Sequence, residues 1–319
     1  MTRRTLAVLS LLACPLTAGA QTFPTKPVRI VVPFAAGGGV DLAARVLAQL
    51  LTDGVGQTFV VENRPGASGM IGVEFVAKSP PDGYTLLVGS QTTQAVVPAM
   101  FPKVPYDAMR DFTGVTQIAT SPLLLVVNPS LPVKTVKELI ALAKVRPKEL
   151  TFGAASGGTP HMAGELFQLF AGVKFQFVPY KGEGPAVADA MGGHITMVFS
   201  NLPVALPVVR SGRLRALGVT SAQRASNASD IPTVAESGLP GFDASSWFGL
   251  FAPSATPREV VNKLAADSAR VLTAADAREK LAQQGLFVVA STPEQFAVFL
   301  RAEISRWAKV VRDSGVKPE

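Results

Sequence analysis

The sequence contains little cysteine, histidine or charge. Among its 319 residues there is one cysteine, so no disulfide can form within the chain, and there are two histidines. We therefore predict neither a metal site nor a cofactor. Charged residues make up 17% and hydrophobic residues 48%, which excludes a chain kept disordered by self-repulsion. Beyond residue 20, no segment has the roughly 20 uninterrupted apolar residues of a membrane-spanning helix.

Glycine and proline are abundant instead. The chain has 28 glycines and 25 prolines, too many for a coiled coil or a long helical bundle. Their spacing favours many short alternating elements, and the length indicates roughly two domains.

The first 20 residues have the three regions of a secretory signal peptide. Arg3 and Arg4 give a positive start, residues 5–12 a short apolar stretch, and Ala18-Gly19-Ala20 a cleavage site. We therefore predict a periplasmic protein cleaved after Ala20, which leaves 299 residues and a net charge of +5. The alternative is a lipoprotein anchored through Cys14, because Leu-Leu-Ala-Cys at 11–14 resembles a lipobox.

The basic residues do not indicate nucleic-acid binding. The densest group is Arg210, Arg213, Arg215 and Arg224, and no aromatic residues alternate with them to stack on bases. We interpret this group as a solvated face that weakly attracts anions.

The first part of the mature chain alternates strands with helices. Residues 28–33 are apolar and largely β-branched, as in a buried parallel strand, and a glycine run separates them from an amphipathic helix at 41–52. Strands at 58–62 and 84–88 flank a helix at 69–77. This order predicts a parallel α/β sheet.

The pattern restarts after a long extended segment at 115–127, which Ser121-Pro122 interrupts. Strands and helices up to residue 220 predict a second parallel sheet, and another extended stretch at 246–252 precedes the terminal helices. Two extended segments that each carry the chain from one sheet to the other indicate two lobes with a ligand between them. We predict a signal peptide at 1–20, lobe 1 at 21–120 plus 246–319, and lobe 2 at 121–245.

Four small polar loops, 34–41, 66–72, 89–93 and 155–161, each follow a predicted strand. Ligands of open α/β sheets bind beyond the carboxyl ends of the strands, so these loops should meet at one cleft. A glycine run before a helix also offers backbone N–H groups and the positive end of the helix dipole to an anion. We expect Asp41 to stabilise the helix terminus rather than to contact the ligand.

Two other chemistries have weaker support. Glu62 ends the second strand where a ribose-binding acid would lie, but Leu42 stands in place of the third glycine of a dinucleotide fingerprint. Ser68 and Ser156 lie in glycine-rich turns without the context of a nucleophile elbow. For His161, a position in the first turn of a helix, where it bonds the backbone or the ligand, is favoured over general-base catalysis. No catalytic residue is predicted.

Several motifs carry a family resemblance that runs from Phe23 to the C-terminus. Residues 32–41 read Val-Pro-Phe-x-x-Gly-Gly-x-x-Asp, 62–67 read Glu-Asn-Arg-Pro-Gly-Ala, and 81–86 read Pro-Asp-Gly-Tyr-Thr-Leu. The chain resembles the Bug-type receptors, the extracytoplasmic substrate-binding proteins of tripartite tricarboxylate transporters. Further matching segments are 178–182, 201–203, 212–216, 231–238 and 247–253.

The resemblance implies an α/β fold of the type II periplasmic-binding-protein class, a Venus flytrap of two lobes joined by two hinge strands. It implies that backbone groups and bridging waters in the lobe 1 loops hold a ligand carboxylate, while other loops contact the rest of the ligand. The residues placed at the ligand in this way are Phe34, Ala36, Gly37, Gly38, Gly66, Ala67, Ser68, Gly69, Ser90, Gln91, Thr92, Ser156, Gly157, Gly158, Thr159, His161, Tyr180 and Ser200.

Two positions depart from the family pattern. Ser200 stands where many relatives have aspartate before the Asn-Leu-Pro motif, and Thr196 replaces an acid that usually follows the Gly-Gly turn. If residue 200 lines the cleft, a partner for a ligand amino group has been lost. An amino-acid ligand is then not expected.

The function predicted in this way is that of a monomeric periplasmic receptor, not an enzyme. Its partners would be a small carboxylate ligand and the permease subunits of a tripartite tricarboxylate transporter, with no nucleic acid. The alternatives are a secreted α/β enzyme of hydrolase type and a sensor receptor that acts on a membrane kinase.

Overall fold

The computed structural model describes residues 23–317, so the predicted signal peptide, its cleavage site and Cys14 lie outside the described residues. The strands are β1 (Val28–Val32), β2 (Phe59–Asn63), β3 (Thr85–Ser90), β4 (Phe112–Ser121), β5 (Leu123–Val127), β6 (Thr151–Ala154), β7 (Gln176–Pro179), β8 (Met197–Asn201), β9 (Arg215–Val219), β10 (Ser246–Pro253) and β11 (Phe287–Val288). The helices are α1 (Gly39–Val55), α2 (Met70–Ala77), α3 (Val97–Met100), α4 (Val136–Val145), α5 (Thr159–Ala171), α6 (Glu183–Gly192), α7 (Leu202–Arg210), α8 (Arg258–Leu272), α9 (Ala275–Gln283) and α10 (Pro293–Ser314).

These elements form two sheets, each in its own lobe. The lobe 1 sheet has six strands in the order β11-β4-β10-β3-β1-β2, and the lobe 2 sheet has five in the order β7-β6-β8-β5-β9. The predicted pair of α/β lobes is therefore confirmed. In lobe 1, β1 is parallel to β2 and β3, with Val28 opposite Phe59 and Ile30 opposite Leu86.

The prediction of two fully parallel sheets is wrong, because both sheets are mixed. In lobe 1, β10 runs antiparallel to β3 and β4. In lobe 2, β5 runs antiparallel to β8 and β9. The reason is topological. A strand that arrives from the other lobe starts at the edge where its neighbours end, so it must run in the opposite direction.

The two crossings lie side by side. β4 ends at Ser121, Pro122 follows, and β5 begins at once in the other sheet, while residues 220–245 connect β9 to β10. Ser121 pairs with Ser246 at the lobe 1 end of the crossings. At the lobe 2 end, the Thr220 N–H donates to the carbonyl of Leu123 at 2.9 Å. Backbone hydrogen bonds therefore join the two connections where they pass between the lobes.

Helix α10 packs against both lobes. Phe296 and Leu300 in its first half lie in a hydrophobic cluster with Phe251 of β10. Trp307 in its second half lies in a cluster with Phe167 of α5, and that cluster also includes Met100 of α3. One apolar core thus continues from lobe 2 across α10 to the short helical segment after β3. The lobe boundaries given by the sequence stay a prediction.

Candidate functional site

A cleft of about 640 Å³ lies between the lobes, at the carboxyl ends of strands from both sheets. Lobe 1 contributes residues 34–40, which follow β1, and Ser90, which ends β3. Lobe 2 contributes residues 153–155 at the end of β6 and Asn201 at the end of β8. The other lining residues are Thr92, Thr159, Pro160, Lys181, Gly182, Glu183, Gly184, Ala186, Val187, Val198, Phe199, Val204, Ser246 and Phe248. Of the predicted site residues, Phe34, Ala36, Gly37, Gly38, Ser90, Thr92 and Thr159 lie on this wall.

A second cavity of about 340 Å³ lies beside the crossings and includes Pro122, Arg224 and Arg306 in its wall. Its two arginines already have partners, because Arg224 Nε donates to Glu236 at 2.9 Å and Arg306 Nη1 donates to Glu303 at 3.2 Å. The cleft between the lobes is therefore the better candidate for binding an anion.

The glycine loop after β1 is held in shape by Asp41. The Gly37 N–H donates to Asp41 Oδ2 at 2.9 Å, as does Arg45 Nε at 2.9 Å. Asn63 Nδ2 donates to Asp41 Oδ1 at 2.8 Å and to the carbonyl of Phe34 at 3.0 Å. Gly37 has a φ of 92°, a conformation that favours glycine. Asp41, in the first turn of α1, thus organises the loop before the helix and does not line the cleft.

This network also sets the charge of Asp41. Burial raises the pKa of Asp41, but the hydrogen bonds from Arg45, the Gly37 N–H and Asn63 outweigh burial and hold that pKa below its usual value. The carboxylate therefore stays ionised at neutral pH.

The start of α1 presents backbone donors to the cleft. Gly38 is the N-cap, and Gly39 and Val40 begin the 17-residue helix; all three lie on the cleft wall. The first N–H groups of a helix have no partner within the helix, and the helix dipole places positive charge there. The lobe 1 wall carries no charged side chain among the described residues. An anion at this wall would be met by N–H groups and hydroxyls.

The Gly66–Gly69 loop lies behind the wall rather than on it. A β-carbon on Gly69 would come within 2.8 Å of Thr93 Cγ2 and 3.2 Å of Phe34 Cζ, so the loop packs directly against these side chains. Ala67 and Ser68 adopt φ values of 47° and 55°, which non-glycine residues rarely do. The loop supports Phe34, and ligand contact by these four residues stays a prediction.

Ser90 and Gln91 bring polar atoms into a buried region beside the cleft. Ser90 lines the wall, whereas Gln91 is fully buried and is not among the lining residues. Within the described residues, Ser90 Oγ and both amide atoms of Gln91 have no hydrogen-bond partner. Buried polar atoms are costly unless they are bonded, so Ser90 Oγ is suited to a ligand or water in the cleft.

His161 has a structural environment at the start of α5. Its Nδ1 accepts from the Gly157 N–H at 3.0 Å, and its ring stacks on Phe177 at 3.8 Å. It is 2% exposed, and Nε2 lies 3.7 Å from Glu165 Oε1. The imidazole therefore fixes the loop from within lobe 2. Ser156, Gly157 and Gly158 lie in that loop but are not on the cleft wall, and their ligand contacts stay predictions.

Tyr180 also lies outside the cleft wall. Its hydroxyl donates to Asp189 Oδ2 at 2.6 Å. Burial and this carboxylate together raise the pKa of Tyr180 to about 12, so the phenol keeps its proton. A ligand contact by Tyr180 also stays a prediction.

Ser200 is fully buried and reaches the cleft only through Glu183. Its hydroxyl donates to Glu183 Oε1 at 2.6 Å, and Glu183 itself lines the cleft. Ser200 itself does not line the cleft, so the condition under which an amino-acid ligand was not expected is not met. Glu183 was not among the predicted site residues, because an acid in the first turn of a helix is ordinary. Its adjacency to the Val178–Gly182 motif was the available signal.

Two general features of the described part of the chain bear on function. Within residues 23–317, no helix is both long and apolar enough to cross a membrane. In the same residues, no three His, Cys, Asp or Glu side chains are grouped so that they could hold a metal ion.

Comparisons with known proteins identify relatives of this chain. Residues 43–316 match the family described as "Tripartite tricarboxylate transporter family receptor". BugT of Bordetella pertussis is 42% identical over 308 residues, which cover 96% of this chain and 94% of BugT.

Two solved structures have the same fold. The R. palustris protein Rpa4515, solved with adipate, is 40% identical with a TM-score of 0.85, covering 93% of this chain and all of that one. MatC from Rhodopseudomonas palustris, solved with bound malate, is 34% identical with a TM-score of 0.80, covering 91% of this chain and all of MatC. The predicted type II periplasmic-binding-protein fold is confirmed. The chain belongs to the tripartite tricarboxylate transporter receptor family, whose members are solute-binding proteins rather than enzymes.

Proposed function

We propose that this receptor captures a small carboxylate between its lobes and delivers it to the permease of a tripartite tricarboxylate transporter. The observation that carries the proposal is the start of α1, which brings Gly38, Gly39 and Val40 to the cleft wall. Helix N-termini bind anions because N–H groups and dipole act together. Ser90 Oγ, buried without a partner among the described residues, adds a hydroxyl on the same side.

The middle of the cleft suits a short carbon chain. Phe34 and Phe248 line it from lobe 1, and Val187 and Val198 line it from lobe 2. A cavity of about 640 Å³ with apolar walls and a few polar groups is typical of a small-molecule site. The ligands named for two relatives, adipate and malate, have this combination of carboxylates and short carbon chains.

A thermal-shift panel tests ligand capture. Mono-, di- and tricarboxylates, amino acids and aromatic acids would each be added to the mature receptor, with the matching amides as uncharged controls. A ligand at 100 times its dissociation constant should stabilise the receptor by about 2.7 kcal/mol, and its amide should not. If amides and acids act alike, or no acid acts at millimolar concentration, carboxylate capture is wrong.

Delivery is a separate step and needs its own test. Uptake of labelled ligand by cells should require both the receptor and the permease, and reintroduced wild-type receptor should restore it. Tight binding with no effect on uptake would favour the sensor alternative.

Export is proposed from the signal peptide. Mass spectrometry of the periplasmic fraction should find a mature chain that begins at Gln21. We expect this chain to be a monomer. A chain that begins at a lipid-modified Cys14 would place the receptor on a membrane surface instead.

A further inference from the structure

The lobe 2 side of the cleft holds a carboxylate in a fixed position. Glu183 is the first residue of α6, and its Oε1 accepts from Ser200 Oγ at 2.6 Å and from the Asn201 N–H at 2.5 Å. Its Oε2 accepts from Asn201 Nδ2 at 2.8 Å. Glu183 and Asn201 both line the cleft. Three hydrogen-bond donors at the end of β8 thus hold the Glu183 side chain of α6 in place.

What this group can still bind follows from counting its acceptor sites. A carboxylate has about four such sites, and three of those of Glu183 are occupied, which leaves one on Oε2. The Asn201 amide gives one of its two N–H groups to Glu183 Oε2, and its oxygen stays available as an acceptor. The clamped carboxylate itself can therefore receive one more hydrogen bond from a ligand and can give none.

Lys181 is the other charged residue of the wall, and it does not neutralise Glu183. Among the described residues, the Lys181 ammonium lies within 4.0 Å of no carboxylate. Lys181 is exposed, so water screens its charge and its long side chain is free to move. The charged side chain that is held in a fixed position on the lobe 2 wall is consequently the Glu183 carboxylate, whereas the lobe 1 wall has no charged side chain among the described residues.

We infer that Glu183 determines specificity: this receptor selects a carboxylate whose other end carries a protonated amine, in preference to a dicarboxylate of equal length. The ligand carboxylate faces the start of α1, and its ammonium donates to Glu183 Oε2. A second carboxylate in the same place would meet the like charge of Glu183. This inference rests on the proposed function and specifies its ligand class.

Calorimetry with matched ligand pairs tests the inference. Succinate is compared with 4-aminobutanoate, and adipate with 6-aminohexanoate, at neutral pH on the mature receptor. The members of each pair share one carboxylate and a similar length and differ at the other end. We expect the amino compound of at least one pair to bind ten times or more tighter than its dicarboxylate.

Glu183→Gln then assigns the preference to this side chain. It keeps the shape and removes the charge, so the ratio of affinities within the pair should fall about tenfold, mainly through weaker binding of the amino compound. Glu236→Gln is the matched control, because Glu236 pairs with Arg224 outside the cleft. Glu236→Gln changes the net charge by the same amount and should leave the ratio of affinities within the pair unchanged.

Ser200→Ala provides a second variant that never touches the ligand. It removes one of the three bonds that clamp Glu183, so the ratio should fall by about threefold while carboxylate binding at lobe 1 persists. If Glu183→Gln does not fold, this variant decides, and an unchanged ratio contradicts the inference.

The outcomes separate the inference from the function on which it rests. Dicarboxylates that bind tighter than amino compounds, with a ratio indifferent to Glu183→Gln, would overturn the inference and leave the receptor a carboxylate-binding protein. Failure of every carboxylate in the thermal-shift panel would overturn the proposed function and the inference together.

Discussion

Gly38 is the residue at which backbone recognition can be separated from side-chain recognition. Its φ of −86° is close to the proline range, and it lies on the cleft wall before the first turn of α1. Gly38→Pro removes one N–H donor and fills the approach to its neighbours. We expect carboxylate affinity to fall at least tenfold in calorimetry, because a hydrogen bond to a charged group contributes about 1.5–3 kcal/mol.

Gly38→Ala is the matched control for this variant. A β-carbon at Gly38 meets no atom within 4 Å, and the N–H remains, so binding should resemble wild type.

Lys181→Ala tests the opposing mechanism, in which a cation carries recognition. If Lys181→Ala loses far more affinity than Gly38→Pro, with both variants folded, the backbone mechanism is wrong.

Asp41 gives the glycine loop a dependence on pH. Its pKa is lowered in the folded state, so its contribution to the free energy of unfolding is present above the unfolded value of 3.8 and disappears as pH falls through the folded pKa. Asp41→Asn should cost about 1–3 kcal/mol at pH 5–7, as expected for disrupting a buried hydrogen-bond network. Urea denaturation should show the gap between variant and wild type narrowing below pH 3.8. A gap of constant size down to pH 3 would contradict this account.

Local sequence signals predicted one wall of the cleft better than the other. A glycine run before a helix has a direct local consequence, so residues 34–40 could be placed at the cleft wall from the sequence. The role of Glu183 depends on β8 returning beside α6, which brings Ser200 and Asn201 to its carboxylate from 17 and 18 residues away. No local pattern encodes that contact.

At the scale of elements, α10 is anchored by Glu303, whose carboxylate accepts hydrogen bonds from two tryptophan indoles. Glu303 is 7% exposed, and its Oε2 accepts from Trp247 Nε1 at 2.9 Å and from Trp307 Nε1 at 2.8 Å. Glu303→Ala leaves both buried N–H groups without this partner, at about 1–3 kcal/mol each. We expect a fall of roughly 2–5 kcal/mol in the free energy of unfolding, measured by chemical denaturation.

Glu294→Ala on the same helix is the control for that prediction. Its ion pair with Arg258 is exposed, with 67% and 81% of the side chains accessible, so its loss should cost less than about 1 kcal/mol. If the two variants lose the same free energy of unfolding, the loss comes from helix propensity and not from the indole contacts.

Element type could be predicted more readily than element direction or helix starts. The apolar, β-branched run at β1 marks a buried strand, but the directions of β5 and β10 depend on how the chain passes between lobes. Helix α7 has a weak helical pattern in the sequence because Pro203 and Pro207 interrupt it, although Pro203 lies in the first turn, where proline is tolerated. Thr292 at the start of α10 forms a capping box, which is a local sequence signal, whereas α8 begins after Pro257 without a side-chain cap.

For the whole molecule, the sequence indicated two lobes because two extended segments interrupt the α/β pattern. It did not indicate how α10 would pack. The apolar cluster that joins Trp307 and Met100 to the lobe 2 core continues through the side of the molecule formed by α10 and α3. A closing motion has to keep this buried surface together, since exposing it costs about 25 cal/mol per Å². We therefore expect the lobes to rotate about that side and about Pro122, with the cleft narrowing between the start of α1 and Glu183.

Small-angle scattering tests this closure. A compact chain of 299 residues has a radius of gyration of about 19 Å, and saturating ligand should lower it because ligand contacts on both walls favour the closed arrangement. Gly38→Pro should need at least tenfold more ligand to reach the smaller radius, which separates closure from a general effect of added solute. Glu183→Gln, which retains the lobe 1 contacts, should need more ligand to reach the same radius. An unchanged profile for wild-type receptor at saturation, with binding verified by calorimetry in the same buffer, would mean that the cleft is rigid and that the ligand enters a site already formed.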